Sequence, residues 1–178
     1  MAHVNIEIKA RCSAPEAVRE ILRLAGAECR GTDCQTDTYY EVPAGRLKLR
    51  QGNIENALIY YRRPDQPGPK RADVSLYRTA PDSALAEVLS RALPVWMVVK
   101  KRREIYFLGN VKFHLDAVEG LGGFVEIEAI DADGSIGAER LRRQCESFME
   151  RFGIRPEDLV EGSYSDLLRA AEETGWRK

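Results

Sequence analysis

Charged and apolar residues alternate with a period of two in three short segments of this chain: Glu7-Ile8-Lys9, Arg46-Leu47-Lys48-Leu49-Arg50 and Glu126-Ile127-Glu128. Successive side chains on a β-strand leave opposite faces, so each segment sends its charges one way and its apolar groups the other. Where the apolar face packs on helices, the charged face must line something wet. The same period predicts strands over residues 3–11, 36–41, 46–51, 57–63, 72–79, 96–107, 111–118 and 124–130. Gly45, Gln51-Gly52-Asn53, Leu108-Gly109-Asn110 and Gly120-Leu121-Gly122-Gly123 supply turns, and residues 64–70, with three prolines and a glycine, read as an exposed loop.

Helical spacing appears between these strands. Ser13-Ala14-Pro15-Glu16 has the form of a capping box with proline in the first turn, and Val18, Ile21, Leu22 and Ala25 follow on one face. Pro81-Asp82-Ser83 opens a second helix carrying Leu85, Val88, Leu89 and Leu93. Helices over 138–152 and 164–174 close the chain, with Pro156 starting a short helical turn between them. Strand, capped helix and strands thus occur once in each half, which suggests pseudo-symmetric halves. Hairpin connections imply antiparallel pairing, and eight tilted strands are enough to close a barrel with room inside for side chains or one small ligand. The expected fold is α+β: a single domain over residues 1–178, built as an eight-stranded antiparallel β-barrel with flanking helices.

Composition narrows the function by exclusion. A net charge of −1 gives no global field toward nucleic acid or an acidic membrane, so neither is an expected partner and any basic function must be local. The longest apolar stretch, residues 93–99, is far too short to cross a bilayer. Cys12, Cys29, Cys34 and Cys145 match no common zinc spacing and no signal-peptide pattern is visible, so they read as free, mostly buried thiols of a cytoplasmic protein. A Cys29–Cys34 bridge stays open as an alternative.

The charged strand residues have a bland reading and a sharper one. Alternating charge usually marks a solvated face, and Arg46, Lys48 and Arg50 would suit an edge strand protected from aggregation. Yet four consecutive bases, Lys100 to Arg103, enter an apolar strand, so half of them must point inward; alternation selects Lys101 and Arg103, with Lys100 and Arg102 outward. Glu126 and Glu128 share one strand face, as do His114 and Asp116. His114 reads as a hydrogen-bonding residue rather than a metal ligand, and Tyr60 shares the parity of Arg62.

These residues resemble a known family. Asn5-Ile6-Glu7-Ile8-Lys9 is similar to the Glu-x-Glu-x-Lys signature of the CYTH superfamily, the triphosphate tunnel metalloenzymes. The run from Lys101 to Phe107, then His114-Leu115-Asp116, Gly120-Leu121-Gly122-Gly123-Phe124, Glu126-Ile127-Glu128 and Gly162-Ser163-Tyr164-Ser165-Asp166-Leu167-Leu168, resembles its class IV adenylyl cyclase branch. The resemblance implies a triphosphate tunnel of eight antiparallel strands, a requirement for Mg2+ or Mn2+, and a nucleoside triphosphate or other triphosphate as substrate. It implies cyclisation of ATP to cyclic AMP and pyrophosphate as the leading activity. Hydrolysis of inorganic or thiamine triphosphate, or binding without turnover, are the alternatives, and a homodimer stays open as the assembly. Carried over residue by residue, Glu7, Asp116, Glu126 and Glu128 match metal positions, and Lys9, Lys48, Arg50, Arg62, Lys101 and Arg103 match substrate-binding ones. Glu7, Lys9, Lys101 and Arg103 stand as the catalytic set. Asn5 replaces the family's first glutamate, removing one charge from the expected metal site.

Overall fold

Eight strands form one closed barrel in the order β1-β5-β4-β3-β2-β6-β7-β8, with every neighbouring pair antiparallel. The structure, a computed structural model, describes the backbone of residues 2–175 and side chains from Asn5 onward. The strands are β1 (Ala2–Arg11), β2 (Glu28–Tyr40), β3 (Arg46–Gln51), β4 (Ala57–Arg62), β5 (Lys70–Arg78), β6 (Val95–Leu108), β7 (Val111–Val118) and β8 (Gly122–Asp131). Four helices flank them: α1 (Pro15–Leu24), α2 (Leu85–Ala92), α3 (Ala138–Arg151) and α4 (Tyr164–Glu173), with a 3-10 turn at Pro156–Asp158.

Alternation explains which face of β1 is buried where. Ile6, Ile8 and Ala10 point outward and join Phe113, Leu115, Val125 and Ile127 in a core completed by Val18 and Leu22 of α1 and Leu141, Cys145 and Phe148 of α3. The α3 residues recur at i, i+4 and i+7, the stripe that a helix needs to cover a sheet. Phe113 meets Phe148 edge-on with centroids 4.6 Å apart. A second core of Tyr39, Val99, Val118, Phe124, Val160 and Tyr164 packs with Leu167 and Leu168 of α4.

Several expectations change on folding. The Ser13 capping box does not form: Pro15 occupies the first helical position, which makes Ala14 the cap residue and leaves Ser13 one position too early. A capping box is present on α4, where Ser163 and Asp166 exchange side-chain and backbone bonds. β2 begins eight residues before the expected start, at Glu28 rather than residue 36, because β6 offers it a partner along almost its whole length. A bulge between Cys29 and Gly31, with Gly31 at φ +109°, absorbs the irregularity. α2 has amphipathic spacing but buries no residue. All four cysteines are free; Cys145 is buried, Cys12 half-buried, and Cys29 and Cys34 are exposed on β2 rather than buried. Lys70, expected in an exposed loop, begins β5 fully buried, its ammonium donating to the carbonyls of Gln66, Val160 and Glu161. No helix among the described residues is long and apolar enough to cross a membrane.

Candidate functional site

The inner surface of the barrel encloses a cavity of about 680 Å³. Because β1 turns its apolar residues outward, Glu7 and Lys9 face this space, and the same parity brings in Lys48 and Arg50 from β3, Lys101 and Arg103 from β6, and Glu126 and Glu128 from β8. Register then decides which charges meet. Lys9 lies opposite Glu126 and Arg103 opposite Asp116, while Glu7 lies opposite both Glu128 and Lys70.

Two buried networks result. In the first, Glu126 accepts from Lys9 at 2.9 Å and Arg103 at 2.7 Å, and lies 2.9 Å from His114 Nδ1. Arg103 also forks onto Asp116, whose Oδ2 accepts the Tyr164 hydroxyl at 2.7 Å. Lys9 sits over the Tyr164 ring, 3.9 Å from its centroid. Burial alone would push the Glu126 carboxyl up, but Lys9, Arg103 and His114 outweigh it and hold the group well below the ordinary carboxylate range. His114 is pushed down to about 4, chiefly by burial and then by Arg103 and Lys112, so it is neutral at pH 7. Its buried Nε2 has no partner among the described residues.

The second network centres on Asp37. Its carboxylate accepts from Arg50 Nε and Nη2, both at 2.9 Å, Lys48 at 3.0 Å and Lys101 at 2.8 Å. Burial opposes ionisation of Asp37, yet Arg50, Lys101 and Lys48 hold its carboxyl well below the usual range. Three cations around one anion leave a surplus of positive charge facing the cavity. Burial also pulls the Lys101 ammonium down to about 7 against the opposing pull of Asp37.

A model of the CYTH domain matches residues 3–164. The chain belongs to the CYTH domain family. Its barrel is similar to the Pyrococcus horikoshii OT3 protein PH1012, with 29% identity over 92% of this chain and 98% of that one and a TM-score of 0.78. A candidate adenylate cyclase from Vibrio parahaemolyticus is 22% identical, with 95% and 99% of the two chains covered and a TM-score of 0.74. The Hippeastrum adenylyl cyclase candidate HpAC1, described as having a dominant triphosphatase activity, is 18% identical, with 96% of each chain covered and a TM-score of 0.59. No curated protein matches the chain.

Within this CYTH barrel most of the residues singled out from sequence converge, with two corrections. Arg62 lies outside: it is exposed, and its Nε donates to the Tyr60 hydroxyl at 2.8 Å. Ala57, Ile59 and Tyr61 are the inward residues of β4, so alternation delivers Arg63, not Arg62, to the cavity, where it pairs with Glu7. Asp116 is buried behind Arg103, with both oxygens engaged by Arg103 and one also by Tyr164, and it does not line the cavity. Asn5 is fully buried; its amide nitrogen donates to Glu128 and its Oδ1 is unpartnered among the described residues. A glutamate there would replace that donation with like-charge repulsion.

Asp37, Glu55, Arg63 and Lys112 are site residues that sequence reading missed. None of the four carried a local signal: residues 57–63 offer the same chemistry on both parities, so Arg62 and Arg63 look alike in sequence. Among the described residues no three His, Cys, Asp or Glu side chains already form a cluster set to hold a metal ion. The donor chemistry fits a hard cation nonetheless: Glu7 and Glu128 face each other across the β1–β8 pair and line the cavity beside Glu126. Mg2+ is commonly held by one or two carboxylates together with substrate phosphates rather than by an all-protein cage.

Proposed function

We propose that this barrel is a metal-dependent enzyme acting on a triphosphate, with ATP cyclisation to cyclic AMP and pyrophosphate as its reaction. One observation carries the reading: guanidinium and ammonium groups from β1, β3, β6 and the segment after β4 converge on one cavity that is also lined by four glutamates, Glu7, Glu55, Glu126 and Glu128. Forked arginines and point-charge lysines suit phosphate oxygens, and carboxylates suit Mg2+ or Mn2+. Glu7, Glu126 and Glu128 would hold the metal, which supplies charge neutralisation and a lowered pKa for an attacking oxygen.

The chain's own groups act by position and field. Lys9, Lys48, Arg50, Arg63, Lys101 and Arg103 grip phosphate oxygens from several sides and stabilise charge that builds on them. Asp37 keeps Lys48, Arg50 and Lys101 in place, and Asp116 with Tyr164 does the same for Arg103. In cyclisation the ribose 3′-oxygen bonds to the α-phosphorus and the bond to the β-phosphate breaks. Hydrolysis of the terminal phosphate by water uses the same cradle. It is the second reading, favoured by the likeness to HpAC1 and its triphosphatase activity.

Incubation with Mg2+ or Mn2+ and, separately, ATP, inorganic triphosphate and thiamine triphosphate tests the proposal. Cyclic AMP with pyrophosphate supports cyclisation, orthophosphate supports hydrolysis, and binding with neither product leaves a sensor. Glu126→Gln is expected to lower turnover about 100-fold in a folded protein. Full turnover in that variant removes Glu126 from the machinery.

A further inference from the structure

The cavity changes character along its length. On β8 the inward series runs Glu126, Glu128, Ile130, and on β6 it passes from Lys101 and Arg103 to Phe107. On β4 it runs from Arg63 and Tyr61 to Ile59 and Ala57. Register brings these apolar ends to the same end of the barrel, the one closed by the β3–β4 loop: Ala57 lies opposite Arg50 and Arg78, and Phe107 opposite Lys112. Val74 and Leu76 of β5 complete the apolar stretch, with Arg78 exposed at the rim.

At the boundary stands Glu55. It pairs with Lys112 of β7 and accepts from Arg50 at 3.0 Å and Gln35 at 3.2 Å. In the ring order the β3–β4 loop and β7 lie on nearly opposite sides, so the Glu55–Lys112 pair spans the lumen. The loop that presents Glu55 is firmly held. Buried Asp33 accepts the backbone N–H groups of Ile54 and Glu55, both at 2.9 Å. Gly52 packs so closely that a Cβ there would lie 2.5 Å from the Asp33 carboxylate.

We propose that Glu55 is a specificity-determining residue that ends the phosphate-accepting stretch, and that the apolar chamber beyond it takes the non-phosphate part of an organic triphosphate. The inference rests on the triphosphate reading and deepens it. A further phosphate at this level meets the Glu55 carboxylate, which repels it, followed by a wall of Ala57, Val74, Leu76 and Phe107 that cannot solvate it before the rim at Arg78. A neutral ring or sugar meets apolar surface and a hydrogen-bond acceptor instead.

The test compares ATP, inorganic triphosphate and long-chain inorganic polyphosphate, by kcat/KM and by calorimetric binding, in the wild type, Glu55→Gln and Val74→Glu, each first checked for an unchanged thermal transition. The wild type is expected to favour ATP over inorganic triphosphate by about tenfold or more and to bind long polyphosphate weakly. Glu55→Gln shifts the polyphosphate-to-ATP binding ratio toward polyphosphate by about tenfold, and Val74→Glu lowers the ATP-to-triphosphate ratio by a similar factor. Equal use of ATP and inorganic triphosphate by the wild type, or unmoved ratios in both variants, overturns the assignment of Glu55 and its chamber while leaving the triphosphate reading intact. Failure of every triphosphate to bind overturns the triphosphate reading itself, and this inference with it.

Discussion

The two sides of the barrel meet the same packing requirement in opposite senses. On the side made by β1, β7 and β8, apolar residues such as Ile8, Phe113 and Ile127 point outward beneath α1 and α3, and the lumen receives Glu7, Lys9, His114 and Glu126. On the side made by β4 and β5 the apolar cluster of Ala57, Ile59, Tyr61, Val74 and Leu76 faces inward, while Arg71, Asp73 and Tyr77 are exposed outside. A sheet must bury one face against something. Where helices cover the outside, the inside is released for charge; where none does, the inside stays apolar. The amphipathic lumen follows from this uneven helical cover, and it gives one enclosed space both a phosphate cradle and an apolar wall.

Breaking the charged side should cost far more than trimming the apolar one. Arg103→Met leaves Asp116 buried with only the Tyr164 hydroxyl, and should destabilise the fold by about 3–5 kcal/mol. Ile59→Val on the opposite wall should cost about 1 kcal/mol. Urea unfolding of both variants measures the contrast, and equal midpoints would abolish it.

A sharper probe uses neighbours that alternation assigns to different faces. Arg63→Ala is expected to weaken triphosphate binding about ten- to a hundredfold, whereas Arg62→Ala should leave affinity unchanged and stability within about 0.5 kcal/mol. Calorimetric titration of the two variants decides it; equal losses would mean that β4 presents its other face to the lumen.

A separate effect is expected on pH dependence. Burial, then Arg63 and Lys9, pull Lys70 down from 10.5 to about 7. Between those values the unfolded chain binds the proton that the folded chain has released, so this group's contribution makes unfolding free energy climb with pH across that window. Lys70→Met should flatten the rise in urea midpoint from about pH 7 to 10, and an unchanged slope would reject the assignment.

How much of this was legible beforehand depended on whether alternation had a phase. β3 and β7 have the bounds read from sequence, because strict alternation is bracketed by turn residues. The inward placement of Lys101 and Arg103 likewise follows from parity within one strand. β4 had no phase to read: Tyr60-Tyr61-Arg62-Arg63 offers the same chemistry to both faces, so the expectation of Arg62 was replaced by Arg63 only when Ala57 paired with Arg50 and Arg78. Asp37 sits between two threonines and looks like an ordinary solvated acid. Its three bases come from β3 and β6, and nothing local announces that meeting. Glu55 is invisible for the same reason, since its loop is positioned by Asp33 from β2.

By itself the sequence determined that this chain builds strands with one charged and one apolar face, and where the turns fall between them, because period and turn chemistry are properties of neighbouring residues. Only the tertiary structure decided which charges oppose which. Ring closure brings β1 against β8, so that Lys9 finds Glu126 across more than a hundred intervening residues. Register between distant strands is set by the whole sheet at once, and the electrostatics of the cavity are a consequence of that register.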